Sequence, residues 1–477
     1  MSVQQQPSGQ SGRSFASRAA DAMVDANLQT ALNRLSTGFA TRRATAVAAV
    51  PEFEALKADA QAIKNHVLDN LDHYLERFEA EVIARGGSVH WCPDAESARQ
   101  TVLAICQAAG ARTVTKGKSM VAEEIALNPF LEANGIEPVE TDLGEYLIQI
   151  AKEPPSHIIG PALHMTRDTV EDLFRSHHPS LDPARDLTQP ETLVAEARQM
   201  LRPRYFAADV GITGANFLVA ETGSTVIVTN EGNGDLTQSL PRVHVVLSSI
   251  EKIVPGHEDA ATLLRVLARS ATGQDMSVYT TFSCGPRRPG DADGPDAFHV
   301  VLVDNGRSAM LGTEFQEMLR CIKCGACMNH CPVYGAIGGH AYDAVYMGPM
   351  GAVLTPQIEG LFGHTDLPAA STFCGRCAEV CPMGIPLPDL MRRWREKSFA
   401  AGWSPTAERW GLGLWSALAR RPWAYRLVAR VAAAVLKRLG SKGIARLPLT
   451  AGWTAGRDMP APAGRTFSDL WAEQRRG

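Results

Sequence analysis

The sequence predicts an α/β domain with a largely parallel, buried sheet, followed by a short helical module organised around cysteines and then a basic helical tail. Three observations predict this. From Ser88 to about Val303, short β-branched runs alternate with helical stretches, the pattern of strands covered on both faces by helices. Seven of the 10 cysteines crowd into residues 321–381. Residues 391–477 carry 17 Lys+Arg against 5 Asp+Glu, and seven of the eight tryptophans.

At 477 residues the chain exceeds the size at which one core stops growing, so several domains are expected. With 45% hydrophobic and 21% charged residues, its composition is that of a globular protein. The net charge of −4 hides an asymmetry, because the tail's surplus of 12 positive charges leaves −16 on residues 1–390. No 18-residue uncharged apolar run and no signal-peptide pattern occur, so the expected location is the cytoplasm. Arg42-Arg43 lies too deep for a twin-arginine export signal, and Pro51-Glu52-Phe53-Glu54 follows it.

Residues 1–20 read as a loose tail. Asp21 to Phe39 and Glu52 to Arg85 place apolar residues every three or four positions, so helices are expected there. The strands expected in the α/β domain are Thr113-Val114-Thr115, Ile158-Ile159, Thr225 to Val228, His244 to Leu247 and His299 to Val303. Cys284 to Pro295 reads as a loop, and Asn305-Gly306-Arg307 leads into a helix ending at the first cysteine motif. The expected segments are 1–60, an N-terminal tail and helices; 61–305, the α/β domain; 306–390, the cysteine module; and 391–477, the basic tail. Residues 308–390 are read as short helices held by coordination more than by a large apolar core.

The first cysteine motif is Cys321-Ile-Lys-Cys324-Gly-Ala-Cys327-Met-Asn-His-Cys331-Pro332, the C-x2-C-x2-C-x3-C-P run of two-cluster ferredoxins, in which the fourth cysteine serves the other cluster. Thiolates three residues apart on a tight loop reach different irons of one cubane. The second motif, Cys374-Gly-Arg-Cys377-Ala-Glu-Val-Cys381-Pro382, repeats the last three cysteines, and the frame of the first falls on Ser371. Pairing by the two-cluster rule gives Cys321, Cys324, Cys327 and Cys381 to one 4Fe–4S site, and Cys331, Cys374 and Cys377 to a second that is one thiolate short. That second site is open to a 3Fe–4S cluster, a non-cysteine ligand such as Ser371 or His364, or an iron open to substrate or water. Zinc takes four ligands and would leave three of the seven cysteines idle. Cys92, Cys106 and Cys284 stand outside the motifs and read as small hydrophobes.

In the α/β domain, Arg112 to Ser119 reads as strand, turn and helix start. Gly117-Lys118-Ser119 sets a cation and a capping hydroxyl beside free backbone N–H groups, a place for a carboxylate or phosphate. Arg112 stands where a P-loop needs glycine, which excludes that motif. Lys116 and Lys118 are either solvated charges or ligands of a substrate carboxylate. Thr213-Gly214-Ala215-Asn216 lies where α/β sheets place ligands. The candidate substrate-binding residues are therefore Lys116, Lys118, Ser119, Thr213 and Asn216. Glu221 is the candidate base, because partial burial after the apolar run Phe217 to Ala220 would raise its pKa. His157 and His164 read as structural.

Taken together, the chain resembles the lactate-utilisation protein B family, iron–sulfur proteins with an N-terminal LUD (lactate-utilisation) domain, over roughly residues 20–470. Beside the cysteine motifs, the stretches that carry the resemblance are Thr115 to Glu124, Glu140 to Tyr146, Ser156 to Ala162, Asp209 to Phe217, Ala220 to Ser224 and Thr229 to Asn233. The resemblance implies a sugar-isomerase and coenzyme-A-transferase type of three-layer sandwich for residues 61–305, although fold alone establishes no reaction. It also implies a three-cysteine second motif. Finally, it implies a role in oxidising L-lactate to pyruvate, allowing growth on lactate, with two companions: a cysteine-rich iron–sulfur subunit and a second LUD protein.

No G-x-G-x-x-G fingerprint precedes a helix, so the chain is read as an electron-transfer subunit and not as a complete dehydrogenase. Two other readings stand beside it: a redox-sensing or regulatory protein that binds a metabolite without turnover, and an open iron that binds lactate itself. In the tail, Arg421 to Leu439 reads as an amphipathic helix suited to the inner membrane face or to a protein electron acceptor. The remaining alternative is packing on the acidic body of the same chain. No nucleic-acid recognition motif accompanies the basic residues.

Overall fold

The computed structural model describes residues 13–404, 406–440, 443–444 and 458–475. Its centre is a six-stranded, all-parallel sheet of β1 (Ser88–Cys92), β2 (Thr113–Lys116), β3 (Glu137–Glu140), β4 (Val210–Thr213), β7 (Val243–Ser249) and β10 (Ala297–Val303), in the order β1-β10-β7-β4-β2-β3. The runs of Val and Leu in β7 and β10 are buried throughout. A strand covered on both faces must be apolar at every position and not alternately. A second sheet, not anticipated from the sequence, joins β5 (Phe217–Val219), β6 (Ser224–Thr229), β8 (Ile253–Val254) and β9 (Tyr279–Ser283) in the order β8-β5-β6-β9. Thr225 to Val228, expected as a strand of the α/β domain, is its β6, antiparallel to β5 and β9, while β5 runs parallel to β8; β5, β8 and β9 are short or half polar, which hid them.

Ile158-Ile159 forms a turn and no strand. The flanking Pro154, Pro155 and Pro161 supply no ladder donors, and His157 Nδ1 accepts the backbone N–H groups of Ile159 and Gly160 at 3.0 Å, which curls the chain. The expected loose tail is also shorter. A helix already runs over Phe15–Val24, with Ser14 accepting the N–H of Ser17 as its cap; residues 1–12 lie outside the described residues. After Arg307 the chain makes two 3-10 turns, Ser308–Met310 and Gln316–Arg320, in place of the expected helix.

The cysteine segment shares the largest apolar core of the molecule. Leu35, Phe53 and Leu56 from the N-terminal helices and Ile158, Phe217 and Leu263 from the α/β side pack with Met318, Ile322, Met328, Tyr334 and Met350. Residues 308–390 therefore share a large apolar core, contrary to the expectation that coordination more than such a core organises them. The joint is tight. Tyr334 donates to Ser156 O at 2.6 Å, and a Cβ on Gly339 would lie 1.9 Å from the same carbonyl, so only glycine fits there. Arg43, in helix Thr41–Ala48, donates to Val380 O at 2.9 Å.

Buried charges tie the same region together. The Arg307 guanidinium, wholly buried, holds Glu124 through two hydrogen bonds of 2.6 and 2.8 Å and lies 3.0 Å from Glu251. Tyr346 and Asn305 donate to the same Glu124 carboxylate at 2.6 and 2.7 Å. Glu124 belongs to the α/β domain and Tyr346 to the cysteine segment.

One buried histidine sets a pH dependence. His244 on β7 faces Thr213 Oγ1 at 2.8 Å, and burial alone pushes its pKa down to about 3. Its folded pKa lies below the unfolded value, so the stability it contributes is complete above about pH 6.5 and is lost as pH falls toward 3. At pH 5 the loss is expected to be about 2 kcal/mol. Urea titrations of the metal-free chain between pH 8 and pH 5 check this, and His244→Leu should flatten the slope.

Residues 399–477 form a separate unit. It contains helices Thr406–Ala419, Pro422–Leu439 and Phe467–Gln474, and Arg430 binds Asp469 at 2.9 Å. The amphipathic helix expected over Arg421 to Leu439 forms, and Trp410 and Trp423 expose 76% and 70% of their surface. Among the described residues no helix is long and apolar enough to cross a membrane.

Candidate functional site

Two adjoining cavities make the candidate site. The first is built by the cysteine motifs, whose backbones repeat at an offset of 50 residues, Cys324 to Cys374. In both motifs the residue before that cysteine, Lys323 or Phe373, has a left-handed φ, of 58° and 53°. The glycine after it, Gly325 or Gly375, has φ of 72° and 82°. A four-residue helix follows each, Ala326–Asn329 and Arg376–Glu379. Positive φ values on either side of the cysteine turn the chain around its thiol. A non-glycine residue held there is strained and persists only where the surroundings demand it.

None of the ten cysteines is in a disulfide. Cys321, Cys324, Cys327 and Cys381 line one small cavity whose other walls are largely apolar, among them Ile158, Met318, Met350 and Leu387. Burial, then Cys381 and Cys321, push the Cys324 thiol far up, and burial, Cys321, Cys324 and Cys381 do the same to Cys327. The second set adjoins the first, with Cys377 also acting on Cys327. Burial and Cys374 raise Cys331, while burial, Cys331 and then Cys374 push Cys377 up to about 12. Cys374 is exposed, and its thiol is lowered by hydrogen bonds, first from Thr372 and then from the Arg376 N–H.

These donors fit iron–sulfur clusters. Burial raises these crowded thiols even with Lys323 beside Cys321 and Arg43 beside Cys324, and a metal centre is what stabilises the thiolates that such a cavity brings together. Buried His364, the alternative ligand to Ser371, has its Nε2 2.9 Å from Glu359. Cys92 and Cys106 are buried away from the motifs, and burial raises Cys106 to about 12; Cys284 is half-buried.

The second cavity, of about 210 Å3, opens beyond the carboxyl ends of β2 and β4, where open α/β sheets hold ligands. Lys118, Ser119 and Asn216 line it, as the sequence led one to expect. Ser119 also caps the helix Met120–Glu124 by accepting the Ala122 N–H, and Asn216 Oδ1 accepts from Val228 at 2.9 Å. Two further lysines, missed in the sequence, complete the wall: Lys252 and Lys323. Lys118 Nζ donates to Ile159 O, and Lys252 Nζ donates to Ala215 O at 2.6 Å, which leaves each ammonium two donors. Burial lowers Lys252 to about 8, against the pull of Glu251, and burial lowers Lys323 too. An anion in the cavity would relieve both.

Three candidates lie elsewhere. Lys116 is completely buried and salt-bridged to Glu123 at 2.9 Å and Glu140 at 2.7 Å. Burial opposes its charge, but Glu123 and Glu140 outweigh it, and the pKa is raised. It is thus neither a solvated charge nor part of the cavity wall. Thr213 pairs with His244 inside the sheet. Glu221 is exposed, 3.6 Å from His257 Nδ1 at the start of helix His257–Ala271, outside the cavity and without the burial expected of it. His157 is buried and bridges to Asn329 Oδ1 at 2.8 Å, and His164 lies between Glu153 and Ser156 at 2.8 and 2.7 Å.

Comparison with known proteins agrees with this geometry. The LUD domain family matches residues 75–303, a 4Fe-4S dicluster domain matches 317–385, and the family described as lactate utilisation protein B, C-terminal, matches 400–476. A protein of Bacillus licheniformis named Lactate utilization protein B is 40% identical over 97% of this chain and 97% of its own. One of the same name from Geobacillus sp. (strain WCH70) is 43% identical over 92% of each. A solved structure of a DUF162 family protein from Deinococcus radiodurans covers 49% of this chain and 98% of its own at 14% identity and TM-score 0.27, too slight a likeness to bear on the fold.

Proposed function

Because this chain belongs to the lactate utilization protein B family, we propose that it is the iron–sulfur electron-transfer subunit of a multiprotein system that oxidises L-lactate to pyruvate. The observation that carries this reading is that the two cavities share a wall: Ile158 and Lys323 line both. Lys323 stands between Cys321 and Cys324, so the lysine-lined cavity ends where the first set of thiols begins.

When bound, the clusters supply one-electron carriers for the two electrons that a 2-hydroxy acid yields on becoming a 2-oxo acid. The chain's own residues do the rest that falls to it. Lys118 and Lys252 hold the carboxylate with the donors they keep free. Ile158 and Ile159 cover one side of the cavity and keep water from it. No carboxylate of the cavity is placed as a base. Asp142 Oδ1 accepts the N–H groups of Gly144 and Glu145 as a helix cap, and Glu231 is exposed. Proton removal accordingly falls to the companion proteins, a cysteine-rich iron–sulfur subunit and a second LUD protein. The basic tail offers the contact to an electron acceptor or to the cytoplasmic membrane face.

The test is anaerobic. L-Lactate should bleach the visible absorbance of the purified chain only when the companions are present; absence of lactate-dependent bleaching in every combination would remove this function. In the complete system Lys252→Gln is expected to raise the half-saturating lactate concentration roughly 10- to 100-fold, the worth of a charged hydrogen bond, with the iron content unchanged.

A further inference from the structure

We infer that the hydroxyl of Ser371 is the fourth protein ligand of the second cluster. The inference rests on the iron–sulfur reading above and goes beyond its three cysteines. Four observations carry it.

First, the 50-residue repeat between the motifs is structural as well as sequential. The paired left-handed residues at 323/373 and 325/375 and the helices at 326–329 and 376–379 coincide in that register. In the same register Ser371 takes the place of Cys321. Second, the local hydrogen bond is reproduced. The Lys323 N–H points at Cys321 Sγ, 3.4 Å away, and the Phe373 N–H points at Ser371 Oγ, 3.0 Å away. The side-chain heteroatom is thus set by the same backbone turn in both motifs, with the longer reach of sulfur accounting for the longer distance.

Third, the cavity of the first set is lined by four thiols and by none of Cys331, Cys374 and Cys377, so three thiols remain for the second cluster and one ligand position is left for Ser371. Fourth, His364 is turned to Glu359. Of the two non-cysteine residues in reach of the sequence argument, only Ser371 sits in the motif's own frame.

Ligation forms an iron–oxygen bond and displaces a water or leaves no open position. The hydroxyl proton departs to solvent, which the exposed Cys374 and half-buried Ser371 admit. No electron moves in this step. Oxygen is a harder donor than sulfur and favours the more oxidised iron, so the second cluster should be the harder of the two to reduce.

The full-length chain, purified and reconstituted anaerobically, is compared with Ser371→Ala and Ser371→Cys by iron and acid-labile sulfide content, Mössbauer and electron paramagnetic resonance spectra, and redox titration. The native chain should hold about eight irons, one of them with a spectroscopically distinct oxygen-ligated site. Ser371→Ala should drop to about seven and show a 3Fe–4S resonance when oxidised. Ser371→Cys should keep about eight and raise the midpoint of one cluster only. A turn-forming role alone would leave that midpoint in place. The inference is overturned if the native chain already carries a full equivalent of 3Fe–4S resonance, or if neither substitution moves the iron count, the spectra or the midpoint. A chain that takes up no iron and no sulfide would overturn both this inference and the function proposed above, whereas the other outcomes leave that function intact.

Discussion

Cys381→Ala is expected to remove the cluster of the first motif, not that of its own, and to lower the iron of the anaerobically purified chain from about eight atoms to about four. Cys381 stands seven residues after Cys374 in the second motif. Even so, its thiol lines the cavity of Cys321, Cys324 and Cys327, and it is the first neighbour to act on Cys324. Pro382 and the short helix before it turn the chain so that this sulfur points across. Lactate-dependent reduction of a dye by the complete system should fall at least 100-fold, because the cavity that holds the lysines adjoins this cluster. Cys374→Ala should delete the other cluster, with a different set of paramagnetic signals lost. If the two substitutions erase the same signals, the crossed pairing is wrong.

Arg307→Met is expected to destabilise the chain by about 3–5 kcal/mol at neutral pH, more than any surface substitution would. Its guanidinium is wholly buried between Glu124 and Glu251. Burial by itself would raise both carboxyl pKa values, yet Arg307 overrides it and Glu251 falls to about 2. A methionine of similar volume strips both buried carboxylates of their contacting cation and leaves Glu251 only the more distant pull of Lys323 and Lys252. Urea unfolding of the metal-free chain measures the effect, and Glu124→Gln added to Arg307→Met should recover part of it. A loss under about 1 kcal/mol would mean that the network is not structural.

Much of this architecture could be read from residue types. The cysteine spacing predicts both sets before any coordinates, because coordination imposes local spacing that survives in one dimension, and the four thiols it assigns to the first set line one cavity. Of the six parallel strands β2, β7 and β10 were legible, because burial on both faces favours β-branched and apolar runs such as Val245 to Leu247 and Val300 to Val303. Ile158-Ile159 misled, since its β-branched pair is curled by His157 from within the same turn. The lysine wall was only half legible. Lys118 and Asn216 lie in turns that attract notice, whereas Lys252 ends a two-residue charged pair between short strands and Lys323 is an unremarked filler position of the cysteine motif. Lys116 looked like a ligand from its turn, but its partners Glu123 and Glu140 come from separate elements that only the fold brings together. Glu221 failed for the converse reason, since apolar neighbours in sequence did not bury it.

The common wall at Lys323 and Ile158 makes charge in one cavity felt in the other. An anion bound beside Lys323 raises the energy of adding an electron behind it, and an electron added there loosens the anion by the same factor, as thermodynamic reciprocity demands. On the function proposed above, the tightest grip on a hydroxy acid would belong to the oxidised protein and the weakest to the reduced one. Release of the spent acid and reloading would then be timed by the arrival and departure of electrons, with no moving lid required.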